Sequence, residues 1–196
     1  MTPRIVPSRF LTVLALAGGV AMAADAARPG PAGPTDFDFL EGRWNVVYNN
    51  AQPGIPPDVT GTWTARKEAD GRVLYDEFRL FGPNRETVVL GTTYRVFDHV
   101  EKKWDMRYVG LSLIGEDGVV RHPAHWAELS AWREGSRLRV DQRRGRVLLR
   151  ITYYDMSEDH FRWQADVSTD GGKTWTKEQI RIEATRVTEP PARPAR

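Results

Sequence analysis

The sequence predicts an all-β protein: a single antiparallel up-and-down β-barrel of about ten strands, opened by a short N-terminal helical plug. Three observations carry this. Almost every segment after Arg43 alternates apolar and polar residues with period two, and helical periodicity is hard to find. Tight-turn signals recur between those segments, at Ala69-Asp-Gly71, Gly82-Pro-Asn84, Glu116-Asp-Gly118, Glu134-Gly135, Ser157-Glu-Asp159 and Thr169-Asp-Gly-Gly172. So many short strands in one small domain favour closure, because an open sheet leaves two edges of unpaired backbone groups.

The elements follow in order. Arg4 and Arg9 precede an apolar run, Phe10 to Ala23, that is too short to span a bilayer comfortably and ends in the small-x-small sequence Ala21-Met22-Ala23. Residues 1–23 therefore read as a secretory signal peptide, which makes the protein exported, either periplasmic or secreted. Residues 24–34, with Arg28-Pro-Gly-Pro-Ala-Gly-Pro34, read as a disordered, solvated Pro/Gly linker. The barrel is expected over 35–188, and 189–196 read as a disordered tail. No second apolar run resembles a transmembrane helix, so no integral membrane span is expected.

Within the barrel, Asp36-Phe-Asp-Phe-Leu-Glu-Gly-Arg-Trp-Asn45 predicts one helical turn carrying Phe37, Phe39 and Leu40, then Gly42-x-Trp44 leading into a strand. Candidate strands are Trp44–Tyr48, Gly61–Arg66, Val73–Phe81, Thr87–Phe97, Trp104–Gly110, Val119–Arg121, Ala127–Arg133, Arg137–Gln142, Val147–Tyr154, Phe161–Ser168 and Glu178–Val187. Phe161-Arg-Trp-Gln-Ala-Asp-Val167, Trp104-Asp-Met-Arg-Tyr108 and Gly61-Thr-Trp-Thr-Ala65 each separate an apolar face from a polar one. A barrel of this size either fills its interior with such side chains or keeps a small-molecule cavity.

Composition removes several function classes. Cysteine is absent, so neither disulfides nor thiolate metal sites are available. Loss of Arg4 and Arg9 with the signal cancels the formal charge of +2, and the pI of about 9.0 is then a weak argument for nucleic acid. No nucleic-acid partner is expected.

Phe37-Asp-Phe-Leu-Glu-Gly-Arg-Trp44 near the start and Trp163 to Trp175, ending Asp-Gly-Gly-Lys-Thr-Trp, resemble an exported bacterial family of lipocalin-like, calycin-type β-barrels of unknown function. The resemblance covers nearly all of the chain after the signal. In lipocalins proper an arginine near the C-terminus packs over the Gly-x-Trp tryptophan, which implies Arg181 or Arg186 for that role. It implies nothing about the ligand.

Motifs that could carry chemistry are few. Lys173-Thr174 after Gly172 echoes a phosphate loop, but a strand follows where a helix N-terminus is needed, so a β-turn with Gly171 and Gly172 at positive φ is expected. The histidines are His99, His122, His125 and His160. His122-Pro-Ala-His125 does not make a metal pair, because residues three apart on a strand face opposite sides. Nitrobindins, related barrels, hold haem through an axial histidine, but neither His99 nor His160 sits in a matching motif. No metal and no cofactor are expected.

Carboxylates among aromatics are the catalytic candidates, since burial would raise them toward useful pKa values. These are Glu77, in Tyr75-x-Glu77-x-Arg79, and Glu128, flanked by Trp126 and Trp132; the plainer reading makes Glu77 and Arg79 a solvent-side ion pair. The arginines Arg133, Arg137, Arg139, Arg143, Arg144, Arg146 and Arg150 read as a solvated outer wall, or else as a basic patch for anionic headgroups.

The expected function is to bind a small, hydrophobic or aromatic molecule inside the barrel, with Trp63, Tyr94, Trp104, Met106, Tyr108, Trp126 and Trp163 lining the cavity. One alternative is an isomerase, cyclase or hydrolase acting on a lipid-like substrate through Glu77 or Glu128. Another is a structural or partner-binding envelope protein with a filled barrel.

Overall fold

Ten strands wind once around a closed barrel in a computed structural model that describes residues 30–51, 57–113 and 125–188. The expected signal peptide, the first part of the linker, the tail, His122 and the candidate strand Val119–Arg121 lie outside the described residues. A single 3₁₀ turn, Asp38–Leu40, precedes β1 (Gly42–Asn50), β2 (Val59–Glu68), β3 (Val73–Phe81), β4 (Thr87–Asp98), β5 (Lys103–Leu113), β6 (His125–Glu134), β7 (Arg137–Arg144), β8 (Val147–Tyr154), β9 (His160–Ser168) and β10 (Thr176–Arg186). Each strand pairs antiparallel with its sequence neighbours, and β10 returns to β1, with Trp44 opposite Arg186 and Val46 opposite Ala184. Closure leaves no free edge.

Alternation decides what points inward. Trp44 and Val46 on β1, Trp63 and Ala65 on β2, Trp104 and Met106 on β5, and Phe161, Trp163 and Ala165 on β9 are all buried. Their sequence neighbours on the same strands face outward.

One end of the barrel is packed solid. Phe37 and Leu40 are fully buried and enter this end as the predicted plug. Phe37 meets Trp104 edge to face at 5.2 Å, and Phe39 meets Phe161 at 5.4 Å. Trp44 packs on Phe161 at 4.8 Å and donates its indole N–H to the Leu40 carbonyl at 2.8 Å. Edge-to-face rings add attraction beyond the area they bury.

Arg186 closes over this cluster, with its guanidinium 4.1 Å from the Trp44 ring centre. It donates to the carbonyls of Glu41 (2.6 Å) and Phe39 (2.9 Å), and its Nε donates to the Glu158 carbonyl. Of the two arginines the resemblance implied, Arg186 takes the role. Gly42 has φ of 116°, and a Cβ there would collide with the Arg186 guanidinium. The glycine of Gly42-x-Trp44 thus makes room for the arginine that covers the tryptophan.

The described end of the expected linker departs from the prediction. Gly30 donates to the Arg133 carbonyl at 2.7 Å, Ala32 is only 6% exposed, and the Gly33 carbonyl accepts from the Trp104 indole at 3.0 Å. Asp36 holds Arg133 at 2.7 Å and accepts the Gly33 N–H. A Pro/Gly tract has little side chain to bury, but its backbone groups can still be recruited by a neighbouring wall.

Candidate functional site

The other half of the barrel is hollow. A cavity of about 610 Å³ runs from mid-barrel to the end opposite the plug. Its walls are Leu80 and Val89, Leu129, Val147 and Leu149, Ile151, Val167, and Ile180 and Ile182, drawn from the inward phases of β3, β4, β6, β8, β9 and β10. Asn50, Gln142, Arg144, Thr169 and Gln179 ring the mouth. Arg144 belongs to the inward phase of β7 with Leu138 and Val140, so it stands at the mouth, while Arg137, Arg139 and Arg143 lie on the outer wall.

Two glycines shape the wall. A Cβ at Gly91 would run into the Tyr108 ring, and one at Gly110 would run into the His125 imidazole. Both rings fold across a neighbouring strand where that strand has no side chain. Burial pushes the Tyr108 hydroxyl above its ordinary pKa. It does the same to Tyr48, where a hydrogen bond from Asn50 opposes it.

The floor carries charge. Asp76 on β3 and Arg95 on β4 are 1% and 3% exposed and form an ion pair beneath the apolar walls. Both are in phase with inward apolar residues, Leu74 and Leu80 on one strand and Phe97 on the other. Arg95 also lies over the Phe37 ring, at 4.9 Å, which ties the floor to the plug below. Burial lowers the Arg95 pKa, and Tyr153 beside it opposes that shift. Burial likewise raises the Tyr153 hydroxyl, while Arg95 pulls it back. Trp63 and Trp163 complete the floor.

The residues expected to line the cavity divide three ways. Trp63, Tyr108 and Trp163 line it. Trp104 and Met106 point inward but sit in the packed base, where the plug occupies the space above them. Tyr94 and Trp126 are corrected to the outer wall, 47% and 67% exposed. Aromatic and β-branched residues favour strands on either face, so their bulk alone does not report direction. On β6 the inner positions are Ala127, Leu129 and Ala131, while both tryptophans, Trp126 and Trp132, belong to the outward phase.

Both catalytic candidates also face outward. Glu77 pairs with Arg79 at 2.5 Å on the outer face of β3, and Glu128, with its side chain 76% exposed, stands 3.7 Å from Arg107. Neither reaches the cavity. Among the described residues the carboxylate that does is Asp76, the residue before Glu77, and the signal for it was in the chain. A charged residue in phase with apolar ones, opposite in sign on two adjacent strands, marks an inward ion pair.

The remaining motifs resolve into turns. Gly171 and Gly172 have φ of 81° and 92°, and Asp170 accepts from the backbone N–H groups of Lys173 and Thr174 and from the Thr174 hydroxyl. Arg150 caps this hairpin at 4.0 Å over the Trp175 ring. His160 shares an exposed turn with Ser157 and Asp159 at the plugged end, and His99 packs its edge on Phe97 at 5.0 Å. Among the described histidines, His125 reaches the cavity. Among the described residues no cluster of His, Asp or Glu could hold a metal ion, and no helix is long and apolar enough to cross a membrane.

No protein-family model and no curated protein matches the chain. Among solved structures it is similar to an S-type phycobiliprotein lyase from Guillardia theta, with a TM-score of 0.53 and 8% sequence identity, covering 79% of this chain and 92% of that one. At this identity the likeness concerns the fold, a lipocalin-like barrel.

Proposed function

We propose that this protein binds a small, largely apolar molecule inside the barrel, reached from the end opposite the plug. The single observation that carries the reading is a cavity of about 610 Å³ bounded by aliphatic side chains and open at one end. That volume lies within the ordinary range of small-molecule sites, and apolar walls with a few polar groups are their usual composition. A barrel built only as a scaffold gains nothing from the void, because each unfilled volume forfeits packing contacts. A lipocalin-like barrel also serves the phycobiliprotein lyase to which this fold is similar. Catalysis through Glu77 or Glu128 is disfavoured because both face solvent. The Arg4-to-Ala23 pattern supports export as the address of this binding activity.

The test is native mass spectrometry of the full chain purified from its own host, alongside Ile180→Trp, which places an indole in the cavity. Wild-type protein is expected to carry an added small-molecule mass that the variant lacks. Equal loading of the two, or no uptake of any apolar compound by the wild type, would sink the reading.

A further inference from the structure

The floor of the cavity holds more hydrogen-bond donors than acceptors. Trp63 Nε1 and Arg95 Nε are buried with no hydrogen-bond partner among the described residues, while Asp76 Oδ2 and Arg95 Nη1, which also make no hydrogen bond, face each other as the ion pair. The Tyr153 hydroxyl faces N–H groups from both Arg95 and Trp163. A phenol facing such donors turns its oxygen lone pairs to them and keeps one O–H of its own to donate. All of these residues line the cavity. Buried donors are nearly always satisfied, and those left over at a binding site indicate what the ligand supplies.

What the floor lacks is an acceptor, and charge decides which kind. Asp76 already neutralises Arg95. A carboxylate arriving beside Asp76 would leave an unbalanced negative charge in a site shielded from water, at heavy cost. A carbonyl oxygen brings two lone pairs and no charge. An ammonium group would add donors where donors are already in excess. We propose that the cavity selects carbonyl-bearing apolar molecules (ketones, quinones, lactones or esters), inserted carbonyl-first so that the oxygen accepts from Trp63 or Tyr153. The carbon skeleton then lies along Leu149, Ile180 and Ile182. This rests on the reading of the cavity as a ligand site and names the class of ligand.

The experiment is competition against 1-anilinonaphthalene-8-sulfonate fluorescence in the full chain, using 2-decanone, decane, decanoate and decylamine as competitors. The ketone is expected to compete at about tenfold lower concentration than decane, the gain of one buried hydrogen bond. Decanoate and decylamine are expected to be weaker than the ketone. Trp63→Phe with Tyr153→Phe, which removes both donors and leaves an aromatic ring at each position, is expected to erase the ketone's advantage over decane. Should the double variant not fold, Trp63→Phe alone decides by the same ratio. Equal competition by ketone and alkane, tighter competition by decanoate, or an advantage that survives the substitutions overturns the proposal alone. A barrel that takes up neither the reporter nor any of the chains overturns the reading of the cavity with it.

Discussion

The plugged base and the hollow mouth are built from the same ten strands with the same alternation, yet one is solid and the other encloses about 610 Å³. The difference comes from what the chain adds to the strands. At the base, Phe37 and Leu40 enter from outside the sheet and fill the axis, so that Trp44, Trp104, Tyr153 and Phe161 meet through them. Toward the mouth, Leu149 on β8 and Val167 on β9 look across the barrel to Leu80 on β3 and Val89 on β4 with no such insert among the described residues. Inward direction is thus a property of each strand, whereas filling depends on a segment outside the strands.

Asp76 and Arg95 lie at the boundary between the two regions. A buried ion pair is poor value as a stabiliser, since taking both charges out of water offsets most of their attraction. Its place between a packed base and a cavity suits a polar floor for a site.

The largest losses are expected at the base. Trp44→Ala removes a fully buried indole and the platform under Arg186, and a loss of about 3–5 kcal/mol is expected from urea unfolding. A loss below about 1 kcal/mol would mean that the base is not the stability centre. At the boundary, Asp76→Ala leaves Arg95 buried without its counter-charge and is expected to cost about 3–5 kcal/mol. Pairing Asp76→Leu with Arg95→Met is expected to recover most of that stability while altering ligand preference. If the pair of changes is as damaging as the single one, the ion pair serves the fold and not the site.

Changes near the mouth should be gentler. Leu149→Ala enlarges a space that is already empty, so only the transfer of its own atoms is lost, about 1 kcal/mol, while affinity for apolar probes falls. A cost as large as that of Trp44→Ala would show the mouth to be packed in solution.

Smaller still is Asp170→Asn in the terminal hairpin. The Thr174 backbone N–H, the Thr174 hydroxyl and further donors hold the Asp170 carboxyl down to about 2, from an ordinary 3.8. Because its folded pKa is depressed, it contributes above the ordinary value and loses that contribution as pH falls through the folded one. A small drop in melting temperature is therefore expected at neutral pH, closing as pH falls from about 4 to about 2. A difference that persists unchanged in acid would contradict this. On the outer wall, Glu77→Gln should stay within about 0.5 kcal/mol and leave ligand binding intact, as expected for a partly exposed ion pair on the outer face.

Much of the fold could be read from the residues. Period-two segments, turn glycines and the Phe37 to Trp44 plug are local signals, and among the described residues the expected elements follow from them. The site was harder to read. Trp63, Tyr108 and Trp163 were identifiable as inward aromatics, but Trp104 and Met106 share their phase and differ only in height along the axis, which no strand pattern encodes. Tyr94 and Trp126 lie on the outer wall because bulk does not set direction: on β6 the small residues Ala127 and Ala131 are the inward ones.

The sequence by itself determined that the chain forms strands, where it turns, and which end is stoppered, because these depend on neighbours a few residues apart. Only the tertiary structure decided that Arg186 covers Trp44, that Asp76 meets Arg95, and that half of the interior stays open. Those outcomes depend on ring closure. Pairing β10 with β1 brings distant residues to one wall and sets the distance across the barrel, which determines whether facing side chains touch or leave room for a ligand.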